Sequence, residues 1–360
     1  MVPDAHPSPS LRRALVIKLR HHGDVLLTSP VFSTLRQLVP GIEVDALIYD
    51  DTAEMLSHNP DVSRLFTIPR KGRDLSLAAQ ARQEWRRLAE LRDRRYDLLV
   101  HLTESWRGAW LARALRPRIA VAGFSPLRPP PRFWSASFTH LAPNPPLGGR
   151  HTVERHLDAL RAVGLQPPSP RQPLRFVPGE AADARIAGLL AEHALARVRL
   201  IHIHPTSRWM FKAWTVEGYA ATIAGLVARG FRVVMTAAPA EKEMRVAAAI
   251  KAQCGPELID LSGQLTLKEL GAVIGAACLS ICVDSVPMHM AAAMGTPVVA
   301  LFGPSSEGEW GPWQVPHRLV VSGHSCRPCR LDGCGGGKVS DCLVSLRPAD
   351  VLAAADSLLA

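Results

Sequence analysis

No apolar run in this sequence reaches the roughly 18 to 20 residues that a membrane-crossing helix needs, so no membrane span is expected. Also missing is a G-x-G-x-x-G after the first apolar segment, residues 14–19 (ALVIKL), where a dinucleotide-binding fold would carry it. A nicotinamide-dependent activity is therefore not expected. No D-x-D pair of carboxylates exists to hold a metal between phosphates, so any chemistry at a diphosphate should be metal-independent and need no catalytic cofactor. The N-terminal stretch MVPDAHPSPSLRRALVIKL sets Pro and Ser ahead of its charges and Lys18 inside its short apolar run, unlike a secretory leader. The protein is expected in the cytoplasm.

What is present suits a soluble α/β protein. At 360 residues the chain exceeds the length at which a single core usually stops growing, about 250 to 300 residues, and two domains are expected with a ligand between them. The net charge of +10 is uneven, since residues 1–170 hold 24 Lys and Arg against 16 Asp and Glu. An Arg-rich first half suits an anionic partner: a phosphorylated glycolipid, an anionic membrane face or a nucleic acid. A merely solvated basic surface is the competing reading.

Strand and helix patterns alternate along the chain, which implies parallel sheets covered on both faces. Strands are expected at residues 14–19, 43–49, 65–68, 97–102 and 119–123, with helices at 31–38, 75–95, 106–115 and 151–163. The helix at 75–95 bears Arg82, Arg86, Arg87, Arg92, Arg94 and Arg95 beside Trp85, a face that could rest on lipid headgroups or pair with Glu84, Glu90 and Asp93. Residues 124–150 are Pro-rich and read as one long loop, a lid or an acceptor-binding segment by its Arg and aromatic content. The stretch 165–178 (LQPPSPRQPLRFVP) reads as the interdomain linker, giving an N-terminal domain of residues 1–165 and a C-terminal domain of 166–360. Alternation restarts beyond it, with strands ending at Pro205, at 231–238 and at 258–261, and helices at 181–192, 214–229, 240–253 and 266–276.

Residues 282–304 (CVDSVPMHMAAAMGTPVVALFGP) read as strand, polar turn, short helix and strand. Asp284 or Ser285 caps the helix, Pro287 lies in its first turn, and Gly295 ends it. The first turn, Ser285 to His289 with Val286, presents backbone N–H groups beyond a strand end, where α/β folds hold phosphates. The loop HPTSRWMFKAW (204–214) adds Thr206, Ser207 and Lys212, so the two segments describe two walls of a diphosphate site. Met288, Met290 and Met294 read as packing.

GDVLLTSP near the first strand, the HPTSRWMFKAW loop, VDSVPMHMAAAMGTPVVALFGPSSEGEWGPW and CRPCRLDGCGGGKVSDCL together resemble the ADP-heptose:lipopolysaccharide heptosyltransferases over nearly the whole chain. The cysteine-bearing tail is most similar to their heptosyltransferase III branch. The resemblance implies a GT-B fold of two Rossmann-like domains facing across a cleft, with the acceptor on the N-terminal domain and the ADP-sugar on the C-terminal one. It implies transfer of heptose from ADP-L-glycero-D-manno-heptose to the anionic inner core of lipopolysaccharide, with inversion, at the cytoplasmic face of the inner membrane as a peripheral protein. No nucleic-acid partner is then expected.

By the same resemblance Asp24 is the general base, and a carboxylate on a short turn suits that role, with a helix cap as the competing reading. Lys18 and His22 flank it as candidate acceptor-binding residues. Thr206 or Ser207, Lys212, Asp284, Ser285, Val286 and His289 are the candidates at the diphosphate, with Glu241 at the ribose and Leu265 and Leu267 at the adenine. Cys326, Cys329, Cys334 and Cys342 form a C-x2-C-x4-C-x7-C cluster, either a structural Zn or Fe site or reduced neighbours. Autotransporter heptosyltransferases, which modify protein and carry an iron-binding cysteine finger, keep the metal reading open. Another ADP-sugar transferase and a non-catalytic binder of anionic glycan or nucleic acid are the remaining alternatives.

Overall fold

The computed structural model describes residues 11–70, 76–144, 150–169, 171–193 and 199–360. The expectations for the first ten residues, for a helix start at Leu75, for residues 145–149 of the Pro-rich stretch, for Pro170 and for Val198 lie outside the described residues. The chain divides into two units, Met1–Gln172 and Pro173–Ala360, and the division falls inside the Pro-rich stretch 165–178.

In the first unit, strands β1 (Arg13–Lys18), β2 (Glu43–Tyr49), β3 (Arg64–Ile68), β4 (Leu98–His101), β5 (Ile119–Phe124) and β6 (His140–Pro143) make one parallel sheet ordered β3-β2-β1-β4-β5-β6. The central strands are apolar on both faces because helices cover both, and the side chains alternate between two cores. Leu15, Ile17, Leu47 and Leu99 pack on Ala109 of the helix Trp106–Leu115 and on Trp134 and Phe138. Each such buried aliphatic side chain contributes about 1.5–3 kcal/mol.

The second unit repeats the plan. Strands β7 (Leu200–His204), β8 (Arg232–Met235), β9 (Leu258–Asp260), β10 (Leu279–Val283), β11 (Val298–Phe302) and β12 (His317–Val321) are parallel and ordered β12-β11-β10-β7-β8-β9. Ile201, Ile203, Ile281 and Leu301 pack against Tyr219, Ile223 and Leu226 of the helix Val216–Ala228 and against Val351 and Ala355 of the helix Pro348–Leu359. The end of the Pro-rich stretch is stitched into this unit: Phe176 is buried, and Lys268 donates to the Val177 carbonyl at 2.6 Å.

The structure corrects the Pro-rich segment 124–150 from one long loop to a helical turn, Arg132–Ser135, followed by the edge strand β6. β6 is four residues long with His140 and Pro143 exposed, so neither alternation nor length marks it, and Pro143 is tolerated because the strand lies at an edge. Met288 and Met290 are fully buried, as packing residues should be.

The first unit also buries a charge. Asp45, on β2 and without exposed surface, accepts from Arg94 Nε at 2.7 Å, Arg94 Nη2 at 3.1 Å and the Tyr96 hydroxyl at 2.8 Å. The hydrogen bond to Asp45 raises the Arg94 pKa further, and burial followed by the Asp45 charge raises that of Tyr96. Removing one partner strands the other without water. Arg94→Ala should therefore destabilise the protein by about 3–5 kcal/mol, read as a lowered urea midpoint for the first unit. A loss below about 1 kcal/mol, the range of exposed ion pairs, would refute this account.

Candidate active site

Strand order reverses beside β1 in one sheet and beside β7 in the other, so the loops leaving β1 and β4, or β7 and β10, diverge at the carboxyl edge. Such a switch point is where open α/β sheets receive ligands. The residues marked in the sequence collect at these edges. Lys18 ends β1 and Asp24 follows in the short helix His22–Leu26, while Thr206 and Ser207 follow β7 and Asp284 follows β10.

In the first unit the pivotal group is the Lys18 ammonium, which is only 6% exposed. Its Nζ donates to the Leu102 carbonyl at 3.0 Å and to His156 Nε2 at 3.0 Å, and lies 3.7 Å from Asp24 Oδ1. His156 Nδ1 is 3.0 Å from the Leu27 carbonyl, so its proton sits on Nδ1 and Nε2 is the acceptor. Burial holds His156 well below its ordinary pKa, neutral and able to accept. Burial also pulls Lys18 down to about 8, an effect partly offset by the Asp24 charge. The Asp24 side chain is 22% exposed against 8% for that of Lys18, so the carboxylate is the partner that meets solvent.

Asp24 is not the helix cap. The N-cap position belongs to His21, no side chain caps there, and Asp24 lies in the first turn. Lys18, a candidate acceptor-binding residue, spends its donors inside the unit. His22 donates through Nε2 to the Asp51 carbonyl at 2.7 Å, and burial lowers its pKa.

In the second unit Lys212 Nζ and Asp284 Oδ2 form a 2.6 Å ion pair with side chains 21% and 8% exposed. Asp284 was expected at the diphosphate. Its carboxylate is taken up by the Lys212 ammonium. Ser285 occupies the N-cap position of the helix Val286–Met294, but its hydroxyl donates to the Val283 carbonyl at 3.1 Å. Gly295 ends that helix with φ 74°, a left-handed conformation that glycine adopts without strain. Pro287 offers no N–H and the Met288 N–H is bonded to the Ser285 carbonyl, so this helix start has fewer donors than the sequence suggests. His289 is buried.

Thr206 has no exposed surface, and its hydroxyl donates to Glu243 Oε2 at 2.7 Å. Ser207, 5% exposed, accepts from the Trp209 N–H at 3.3 Å. Glu243 was missed in the sequence. Glu241, marked instead, is 85% exposed at the helix start and 3.6 Å from Arg245, whereas Glu243 two residues on turns inward. Beneath this loop lies a second network that was missed. His202 bridges Ser280 and Thr236 at 2.9 and 2.8 Å, and His204 reaches Thr236 at 2.9 Å. Burial holds His202 well below its ordinary pKa and pushes His204 down to about 3, so both stay neutral. The strand period of two could have found them, since in LIHIH both histidines share one face. Leu265 and Leu267 are half-buried on either side of Thr266, which caps the helix Leu267–Ala276 through a capping box with Glu269.

Among the described residues no group of three or more His, Cys, Asp or Glu is placed to hold an ion, so the structure does not support the Zn or Fe reading of the cysteine cluster. Cys326 and Cys334 are exposed and Cys342 is buried, its thiol pushed up by that burial, while Cys334 Sγ accepts from the Asp341 N–H at 3.4 Å.

Two Rossmann-like units with polar groups at the carboxyl edges of their sheets are the GT-B architecture of glycosyltransferases. The chain matches the model of glycosyltransferase family 9 (heptosyltransferase) over residues 85–339. It is 36% identical to the lipopolysaccharide heptosyltransferase 3 of Escherichia coli over 82% of its own length and 84% of that protein's. Among solved structures it resembles the family 9 glycosyl transferase of Veillonella parvula, with a TM-score of 0.82, 23% identity and 97% of each chain covered. It also resembles the E. coli heptosyltransferase WaaC with ADP, with a TM-score of 0.63, 20% identity and 85% and 92% of the chains covered. The chain belongs to glycosyltransferase family 9, the heptosyltransferases.

Proposed function

We propose that this enzyme moves L-glycero-D-manno-heptose from ADP-heptose to the inner core of lipopolysaccharide, with inversion at the anomeric carbon. The first unit takes the acceptor and the second the ADP-sugar, at the cytoplasmic face of the inner membrane. The similarity to an enzyme named lipopolysaccharide heptosyltransferase 3 supports the acceptor, and the ADP held by the related E. coli structure supports the donor. The observation that carries the reading is the partly exposed Asp24 carboxylate, fixed by the buried Lys18 ammonium at the carboxyl edge of β1.

In the proposed reaction Asp24 takes the proton of an acceptor hydroxyl as that oxygen attacks the anomeric carbon. The new C–O bond forms on the face opposite the diphosphate while the bond to the diphosphate oxygen breaks, and ADP leaves carrying the electron pair. Lys212, swung from Asp284 onto the diphosphate, stabilises the charge that develops there, with the Val286 helix start as a weaker contributor. Glu243 orients Thr206 at the same edge, and no step calls for a cofactor.

Asp24→Ala should lower the rate of heptose transfer by about 10²–10⁴-fold while ADP binding stays as in the parent. Transfer at the parent rate would remove Asp24 from the chemistry. Lys212→Ala should weaken ADP binding about tenfold to a hundredfold, as expected for a lost charge-assisted hydrogen bond. Adding Asp284→Asn separates causes: the loss persists if Lys212 touches the diphosphate and reverses if it came from the stranded carboxylate. Lys18 sets the pH dependence. Below about pH 8 its ammonium is charged and holds Asp24, and above that value the charge is lost. The kcat profile should fall on its alkaline side near pH 8, and Lys18→Gln should be slower throughout and lack that limb.

A further inference from the structure

Away from these residues the first unit exposes aromatic side chains that its own packing leaves uncovered. Trp85 is 69% exposed, Trp110 59%, Trp106 50% and Phe133 41%. The Phe133 ring lies 5.2 Å from that of Trp110 and 6.2 Å from that of Trp106. Trp85 and Trp110 line one groove between the helices Leu77–Asp93 and Trp106–Leu115, whose floor includes Leu88 and Leu111. The four rings are therefore one continuous patch. Soluble chains seldom leave so much aromatic surface open unless something covers it.

The patch is set among guanidinium groups. Arg113 lies 4.2 Å over the Phe133 ring. Arg82 and Arg86, one turn apart, flank Trp85; both are exposed, and neither has a carboxylate partner among the described residues. Glu84 is taken up by Arg87 and Arg107, each at 2.8 Å. The pairing that would have made this a solvated helix face therefore reaches only part of it.

We propose that this face docks on an anionic phospholipid surface, with the indoles and the Phe133 ring at headgroup depth and the exposed guanidiniums on lipid phosphates. Indoles favour that depth because one end of the ring is apolar and the other donates a hydrogen bond, and basic residues add attraction to anionic lipid. Among the described residues no helix is long and apolar enough to cross a membrane. A second copy of the chain is disfavoured as the occupant. A two-fold contact sets a patch against itself and would oppose the arginines with their own kind. A lipid-linked acceptor, as in the function proposed above, gives the docking a purpose, but the geometry does not depend on that function.

The test is co-sedimentation of the full-length protein with vesicles of phosphatidylglycerol and phosphatidylethanolamine, and with vesicles of phosphatidylcholine alone. The parent should bind the anionic vesicles, with a blue shift of tryptophan emission, and leave the neutral ones. Arg82→Glu/Arg86→Glu, which leaves the core untouched, and Trp85→Ser/Trp110→Ser should each lower anionic-vesicle partitioning about tenfold or more. Equal binding to both vesicle types, or parent-like binding by both variants, would overturn the proposal, as would a dimer in solution that the tryptophan variant dissociates. ADP binding, measured in parallel, keeps the two readings apart. Its absence from the parent would count against the transferase function and leave the vesicle result standing.

Discussion

Parallel strands that reverse their order beside a central strand open a gap between two loops at one edge of the sheet, and this chain does so twice. The constraint is one of connectivity. A crossover to a parallel neighbour keeps one hand, so the chain fills one side of β1 or β7 before turning to the other. Whatever follows β1 and β4, or β7 and β10, must diverge, and polar groups collect at that edge of each sheet. Lys18, Asp24, Thr206 and Asp284 owe their placement to this reversal more than to any local propensity of their own segments.

What the reversal places, burial then tunes. Lys18 is taken almost wholly out of water, which would be costly for an ammonium without acceptors. The Leu102 carbonyl and neutral His156 receive two of its protons and Asp24 supplies the opposing charge. His156 stays neutral because it is buried beside a cation, and a neutral imidazole is what Lys18 needs. In the second unit His202 and His204 are likewise neutral, and they tie β7 to Thr236 and Ser280 beneath the loop that bears Thr206. Each edge rests on a buried network whose histidines are held neutral chiefly by burial.

The alternation of strand and helix was legible in the sequence because central parallel strands are apolar runs and their helices are amphipathic. The helix at Val286 with its Gly295 stop was legible for the same kind of local reason. β6 and β12 were not, since β6 (HLAP) is four residues long with both ends exposed and β12 (HRLVV) buries only Val320. Site residues divided along similar lines. Asp24 and Lys212 were marked by motif and lie at the carboxyl edges, whereas Glu243 was not marked, because only packing tells which glutamate of that helical turn points inward. The cysteine spacing suggested a metal site, yet spacing says nothing of which thiols point into the core, and Cys342 does while Cys326 does not.

Each edge carries a lysine and a carboxylate, and the two pairs are built in opposite senses. In the first unit the lysine is the buried member, at 8% side-chain exposure, and the aspartate is the open one at 22%. In the second the aspartate is buried at 8% and the lysine is open at 21%. A buried partner cannot meet a ligand; it can only hold and bias the group that does. The first edge therefore presents a fixed negative charge and the second a held positive charge, the signs that the proposed reaction assigns to the base and to the diphosphate's partner. Glycosyl transfer by direct displacement asks for those two signs on opposite sides of the sugar. Exchanging the burial within either pair would present the opposite sign at that edge, with the fold and the four residues unchanged.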